Sequence, residues 1–591
     1  MKVFRFPFSD IRRNFQPVTE YFKKNLWSLV LGLISLLAVD FLQLLIPLVI
    51  KRAIDILTVG KATGGILLRY AALIAAIALG MAFLRYLWRY LLLGLSRKIE
   101  EGLRNRLYSH LQTLSMAFYQ RTKTGDLMAR TINDINAIRM ATGMGLVALT
   151  DGIVLGMAAI GFMLSISPVL TLLSLIPAPI IIVLSKVMSR RIASGFERVQ
   201  RTFSDLTEGV REAFAGIRVV KAYSRESWQY GKVEGTGRKY VSENMKLART
   251  FAIFIPMITI FTNLGLAVVI GLGGRLTILG HITTGDFVAF ISYLNLLAWP
   301  MMALGWVTNM IQRGATSMRR INGILEEIPE ITDTAEAKGN IPIRGGIEFI
   351  DLRVRYPGQT DEAIKGINLT VKAGQTVSVV GRIGSGKTSL FHALARFHNV
   401  PKGRVFLDGR DIHEIPLKTL RKAIGFATQE AVIFSDTVRN NVIFGRTGIS
   451  DEILFAALKT AQLIEEIQQL ENGVDTLLGE RGITLSGGQR QRVSIARAIL
   501  ADPPILILDD ALSMVDTRTE EEILNDILGA RNEKTNLIVS HRLSTISRAD
   551  RIVVLERGAI VETGDHDALI KRGTAYARLY ERQLLAKELE M

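Results

Sequence analysis

The chain has 591 residues, more than one domain ordinarily holds, and its 49% hydrophobic content and mean hydropathy of +0.27 are high for a wholly soluble protein. It contains no cysteine, which excludes disulfides, thiolate zinc sites and cysteine nucleophiles. The net charge of +17 fits either nucleic acid or the cytoplasmic face of a membrane, and the position of that charge along the chain decides between them.

The first 25 residues, "MKVFRFPFSDIRRNFQPVTEYFKKN", mix basic and aromatic side chains. That composition suits an amphipathic segment lying in a membrane interface. Six apolar stretches follow, near 26–50, 66–95, 143–166, 168–188, 249–272 and 286–311. Each is about 20 residues or more, enough to cross a hydrocarbon core of about 30 Å. The first is too long for a cleaved signal and no small-residue cleavage site follows it. A six-helix all-α transmembrane domain is therefore expected over 26–312.

The gaps between stretches are uneven. Those at 96–142 and 189–248 are long, polar and rich in Lys and Arg, whereas the others are short. The positive-inside rule then places the long gaps and both termini in the cytoplasm. With no Pro-Gly-rich linker in them, the long gaps read as membrane helices that continue into the cytosol and turn back. The charge thus belongs to a membrane protein, and no nucleic-acid-binding signature appears. Asp40, Gln43, Arg69, Arg85, Arg89, Asn263 and Asn295 interrupt the spans. Such groups either line a pathway or are paired and snorkelling.

Residues 313–345 change in composition, through the acidic and turn-rich "EEIPEITDTAEAKGNIPIRGG", and read as a linker. β-alternation then opens an α/β domain over 346–585. Within it, "VSVVGRIGSGKTSLFHAL" (377–394) is a strand, a glycine loop and a helix start. The loop fits G-x-x-x-x-G-K-[ST] with Gly381, Gly386, Lys387 and Thr388. Glycines let backbone N–H groups close around phosphate oxygens, and the helix start adds its dipole. Lys387 is placed to reach the β- and γ-phosphates, and Thr388 offers a hydroxyl to Mg²⁺. A second buried strand, "PILILDD", ends in Asp509, the carboxylate expected to hold Mg²⁺, with Asp510 next to it, where it could orient an attacking water. "LSGGQRQRVSIARAIL" (485–500) opens an Arg-rich amphipathic helix at Ser486, Gly487 and Gly488, a second helix start suited to phosphate.

GRIGSGKT, LSGGQ and ILILDD, in this order after six spans, resemble the half-transporters of the ABC exporter family, and the likeness covers almost the whole chain. "FYQRTKTGDLMARTINDI" (118–135) and "GIRVVKAYSRE" (216–226) resemble the family's two coupling loops. The resemblance implies an ATP- and Mg²⁺-dependent translocase. Its nucleotide would be bound by Tyr356, stacking on adenine, by the loop Gly381, Arg382, Ile383, Gly384, Ser385, Gly386, Lys387, Thr388 and Ser389, and by Gln429. Gln429 matches the residue that senses Mg²⁺, and His541 the one that contacts the γ-phosphate. From the other side of a two-chain sandwich, Ser486, Gly487, Gly488 and Gln489 would complete a site, with Asp516 in the loop that crosses between chains.

One position departs from the family: glutamate normally follows the Mg²⁺ aspartate, and this chain has Asp510. One methylene fewer shortens the reach by about 1.5 Å, and misplacement of about 1 Å can cost on the order of a hundredfold in rate. The expectation is a heterodimer in which this chain's own site binds ATP but hydrolyses it slowly, while its intact LSGGQ completes the active site of a second half-transporter. A homodimer hydrolysing slowly through Asp510 and a non-transporting ATP-gated regulator or channel are the alternatives. The architecture suits a bacterial inner membrane, with an amphiphilic drug or lipid as cargo.

Overall fold

Six helices in a computed structural model are long and apolar enough to cross a membrane: Leu26–Thr58, Gly64–Leu111, Thr124–Ile166, Pro168–Ala215, Glu226–Ile278 and Thr284–Leu325. The structure describes residues 13–337, 339, 341–479, 482, 485–540 and 542–590. Residues 1–12 of the expected interfacial segment, parts of the segment before LSGGQ and His541 lie outside the described residues. Contacts divide the chain into two units, 1–112 with 124–327 and 113–123 with 328–591.

In the first unit the second and fourth helices have 48 residues each, about 72 Å at the α-helical rise, more than twice a hydrocarbon core. The polar gaps thus form helix, as their composition suggests, and alternate crossing puts these extensions on one side. The sixth helix is the hub, packing on the first and third. Tyr293, fully buried on it, donates its hydroxyl to Leu44 O at 2.9 Å. Its start is fixed by a reciprocal cap between Thr283 and Asp286, and by Lys51, 2.5 Å from Asp286. The Gly285 N–H donates to Asp55 at 2.9 Å, an approach so close that a Cβ at 285 would lie 2.3 Å from Lys51 O.

This helix runs on to Leu325, well into the segment expected to be a linker. Ala315, Met318, Ile321 and Ile324 are buried at helical spacing there, so a narrow apolar stripe sustains the helix among Arg319, Arg320 and the acids that follow. Buried Asp134 accepts from Ser317 at 2.8 Å and pairs with Arg320, tying this extension to the third helix.

The second unit holds ten strands: β1 (Ile347–Val354), β2 (Ile364–Val371), β3 (Thr376–Val380), β4 (Val405–Leu407), β5 (Arg410–Asp411), β6 (Ile424–Ala427), β7 (Ile505–Asp509), β8 (Thr535–Val539), β9 (Arg551–Glu556) and β10 (Ala559–Gly564). One sheet is antiparallel, in the order β2-β1-β4-β5. The other runs β10-β9-β3-β8-β7-β6 and is parallel except for β10. β3, β7 and β8 are buried at every position, as central strands covered on both faces must be. The segment 113–123 belongs to this unit, with Ala117 and Phe118 buried and the Ser115 hydroxyl donating to Glu330 at 3.2 Å.

Removing the Asp134 carboxylate leaves Arg320 and Ser317 without their buried acceptor, a loss of about 2–3 kcal/mol. Asp134→Ala is expected to lower the thermal unfolding midpoint of the detergent-solubilised chain by several degrees, with Ser317→Ala costing less than half as much.

Candidate nucleotide site

β3, β8 and β7 are neighbours in register, with Ser378 beside Ile538 and Asp509 beside Val539, so the segments leaving their C-terminal ends emerge side by side. The first is the glycine loop, which turns into the helix Lys387–Leu394. Two of its glycines are required by close approach. At Gly381 a Cβ would sit 2.3 Å from Leu555 O, and at Gly386, at φ +103°, it would sit 2.7 Å from Ala363 O. Gly384, at φ +80°, faces open space, and Ile383 is almost fully exposed at the tip. Ser385 is buried, with a hydroxyl that has no partner among the described residues.

The Lys387 ammonium folds back on its own loop, donating to Gly381 O at 2.8 Å and Arg382 O at 3.1 Å. Burial pulls it below the usual lysine range, while the charges of Asp510 and Asp509 oppose that shift. Thr388 hydrogen-bonds to Asp509 at the end of β7. Burial raises the Asp509 carboxyl and the neighbouring Asp510 charge adds to it, against the hydrogen bond from Thr388 and the pull of Lys387. Hydroxyl and carboxylate therefore already share the place where hard oxygen donors for Mg²⁺ are expected.

Asp510 has left-handed backbone, φ +50°, and its N–H donates to Val539 O at 3.1 Å. That turn points its carboxylate towards Gln429, whose amide donates to Oδ2 at 3.3 Å. Lys387, Thr388, Ser389, Asp509, Asp510 and Gln429 are thus brought together. Tyr356 joins at the edge: its hydroxyl hydrogen-bonds Ser389 Oγ at 2.8 Å, and its ring meets His398 edge-on with centroids 4.7 Å apart.

The helix Gly487–Ile499 is elsewhere, and no hydrogen bond among the described residues joins 486–489 to 381–389. Its start is capped rather than bare. The Ser486 hydroxyl accepts from Gln489 N at 3.2 Å, and the Gln489 side chain accepts from Ser486 N at 2.8 Å and donates to Glu466 at 2.6 Å. Gly487 and Gly488 press on Met514, each leaving a Cβ only 2.8 Å from one of its atoms. Asp516 caps the helix Thr517–Ala530, accepting from Thr519 N at 3.0 Å, so its carboxylate has a local partner within the chain.

Two groups escaped the sequence reading. Gln491, buried on the LSGGQ helix, donates to Ser513 Oγ at 2.9 Å and accepts from Met514 N at 2.8 Å. Its amide also lies 3.5 Å from Gln429 O, tying together three segments that border the site. Buried Glu520 collects Arg542 and the hydroxyls of Thr545, at 2.5 Å, and Ser540, at 3.5 Å, and Arg542 also donates to Val515 O at 2.6 Å. The segment flanking position 541 is thereby anchored to the one that follows β7. The polar run "QRQR" hides Gln491, and only tertiary structure pairs Glu520 with Arg542.

With this geometry in view, the chain matches the family models for the ABC transporter transmembrane region over 29–301 and for the ABC transporter over 364–513. It is 35% identical to the multidrug resistance-like ATP-binding protein MdlA of Escherichia coli, over 98% of both chains. It is 34% identical to a "Probable multidrug resistance ABC transporter ATP-binding/permease protein YheI" of Bacillus subtilis, over 96% of this chain and 97% of that one. The chain belongs to the ABC transporter family. A solved structure of a bacterial Atm1-family ABC exporter with ATP bound superposes with a TM-score of 0.77 at 27% identity, covering 94% of this chain and 98% of the other. The chain is thus an ABC exporter half-transporter, a multi-pass membrane protein with one transmembrane region and one ATP-binding ABC ATPase domain.

Truncating Gln491 strands Ser513 Oγ and Met514 N. Gln491→Ala is expected to destabilise the ATPase domain by about 1–3 kcal/mol in denaturant unfolding and to lower ATPase more than ATP affinity, since it touches no residue of the glycine loop. A pH effect comes from His392, 5.6 Å from His398 on the helix after that loop. Burial, with His398 adding to it, pushes His392 down to about 4 from an ordinary 6.5. A folded value below the unfolded one gives stability that is whole above about 6.5 and is lost as pH falls towards about 4. The unfolding midpoint of the transporter's ATPase domain should fall across that window, and His392→Gln should flatten the fall.

Proposed function

We propose that this transporter is one half of a heterodimeric, ATP-driven exporter that moves amphiphilic compounds, drugs or lipids, out of the cytoplasm or inner leaflet of a bacterial inner membrane. Its parts are an interfacial segment (1–25), a transmembrane domain from residue 26 through the helix end at Leu325, and a nucleotide-binding domain over 346–585, with both termini cytoplasmic. The multidrug resistance names of the two relatives support the cargo class. The exposed Ile217, Val219 and Tyr223 of the second coupling segment support a second chain, because they present apolar surface that a partner would cover.

Asp510 carries the division of labour. ATP binds at the glycine loop by exchange, its phosphates replacing the carbonyls now held by Lys387. Thr388, Asp509 and Gln429 would hold Mg²⁺, which would offset the negative charge of the phosphates. A carboxylate, a hydroxyl and an amide are oxygen donors that leave room for phosphate and water, as this ion requires. Asp510 keeps the negative charge beside Gln429 but ends one methylene short of where a glutamate would orient water, so the site grips ATP and turns it over slowly. Ser486, Gly487 and Gly488 face the partner's nucleotide, where hydrolysis takes place. Closure of the two ATPase domains on ATP switches the membrane helices from inward- to outward-facing, which needs ATP to bind the closed state more tightly.

In the assembled transporter, Asp510→Glu is expected to raise ATPase about tenfold or more, while glutamine in place of the partner's catalytic glutamate nearly abolishes turnover. Turnover that survives the partner change would leave the slow homodimer as the better reading. Vanadate-sensitive, ATP-dependent uptake of an amphiphilic dye into inverted vesicles separates an exporter from an ATP-gated regulator.

A further inference from the structure

The transmembrane unit contains a cavity of about 480 Å³ outside the nucleotide machinery, lined by Ser28, residues 89–91 and 93–98 of the second helix, and Arg139, Met140 and Met144 of the third. Its wall carries four cations, Arg89, Arg97, Lys98 and Arg139, and no carboxylate. Glu100, close by, is divided among Arg97 at 3.0 Å, Arg104 at 2.8 Å and Arg139 at 3.4 Å. Among the described residues Lys98 has a neutral partner, Asn25, at 3.2 Å, and no ion pair. Arg89 makes no ion pair among the described residues, and its guanidinium lies over the Trp88 ring, 5.5 Å from the centroid. Positive charge is therefore concentrated around a concave space and only partly compensated, by one carboxylate shared between Arg97 and Arg139.

Two departures from α-helix shape the walls. π-turns at Arg89–Leu93 and Ala141–Gly145 pack against each other beside the cavity, and such turns recur at binding sites. Gly143 lets the helices approach there: a Cβ would lie 2.8 Å from the Ser96 side chain. Besides Ser28, Tyr90 and Ser96, the remaining lining is apolar, with Leu91, Leu93, Leu95, Met140 and Met144 beside the cations.

Depth identifies the ligand class. The cavity straddles the point where the apolar run of the second helix gives way to "SRKIEEGLRNR". The amphipathic helix Gln16–Lys24 packs on the same helix at Gly102, where a Cβ would meet Tyr21 at 2.1 Å. From Gly102 to Gly94 is about 12 Å along the axis, towards the membrane. Exposed Trp27, Tyr86 and Tyr90 ring the same level, where aromatic side chains mark a headgroup region. A phosphate beside cations and apolar side chains, at the level of the headgroups, describes an anionic phospholipid.

We propose that this cavity is a binding site for the phosphate headgroup of an anionic phospholipid, held by Arg89 and Arg139 with Arg97 and Lys98 at the rim, its chains running over Leu93 and Met144. The purified full-length chain, equilibrated with equal amounts of phosphatidylglycerol and phosphatidylcholine, tests this by native mass spectrometry. The wild type should retain phosphatidylglycerol about tenfold in preference. Arg89→Gln with Arg139→Gln should remove that preference, and Arg89→Lys with Arg139→Lys should keep it. Met144→Trp, which fills the cavity and leaves every charge in place, should also lose the lipid, and it decides the matter alone if the glutamine variant does not fold. The proposal is overturned if the wild type shows no preference, or if the glutamine or tryptophan variant keeps it. It is overturned equally if inorganic phosphate, but not chloride at matched ionic strength, strips the lipid, because the site would then take a small phosphate without chains.

Discussion

Everything chemical in the second unit depends on three buried parallel strands standing in register. β3, β8 and β7 expose no side chain, so burial holds them together and fixes where their ends fall. An open parallel sheet presents its ligand-facing segments at the C-terminal ends of its strands. Here those ends release the glycine loop, the segment leading to position 541 and the Asp509–Asp510 pair. A one-residue slip of β7 would move Asp509 off Thr388 and exchange its aliphatic side chains between the two covered faces of the sheet.

Much of this was legible in the sequence because the signals are local. Length and apolarity define a membrane span without knowledge of its neighbours, and the glycine loop is written in consecutive residues. The unread parts needed partners distant in the chain. The sixth helix extends to Leu325 because four buried side chains face other helices, whereas its local composition is that of a solvated linker. Glu520 looks like one acid in "TRTEEEIL" until Arg542 and Thr545 close on it. The departure at Asp510 was visible by name, but its left-handed turn and its bond to Gln429 follow from β8, thirty residues on.

Most polar groups of the site find partners within it, the buried Ser385 hydroxyl being an exception. Lys387 holds loop carbonyls, Thr388 holds Asp509, Gln429 holds Asp510, and Ser486 and Gln489 cap each other. Buried polar groups require partners, so a site awaiting a triphosphate supplies them from itself. Binding then exchanges one set of hydrogen bonds for another, and its net gain comes from the difference between them. That difference is what can be coupled to a change of shape.

The route of such coupling is short in this chain. Gln491 touches the segments that carry Gln429 and Ser513, and it lies two residues after Gln489 on the LSGGQ helix. A shift of Gln429 towards a bound cation would pull on a side chain that also fixes Met514, the residue against which Gly487 and Gly488 are packed. A Cβ at either glycine would lie 2.8 Å from an atom of Met514, so the helix start packs closely on that residue. One buried amide thus links the segment that carries Gln429 and the segment that follows β7 to the LSGGQ helix.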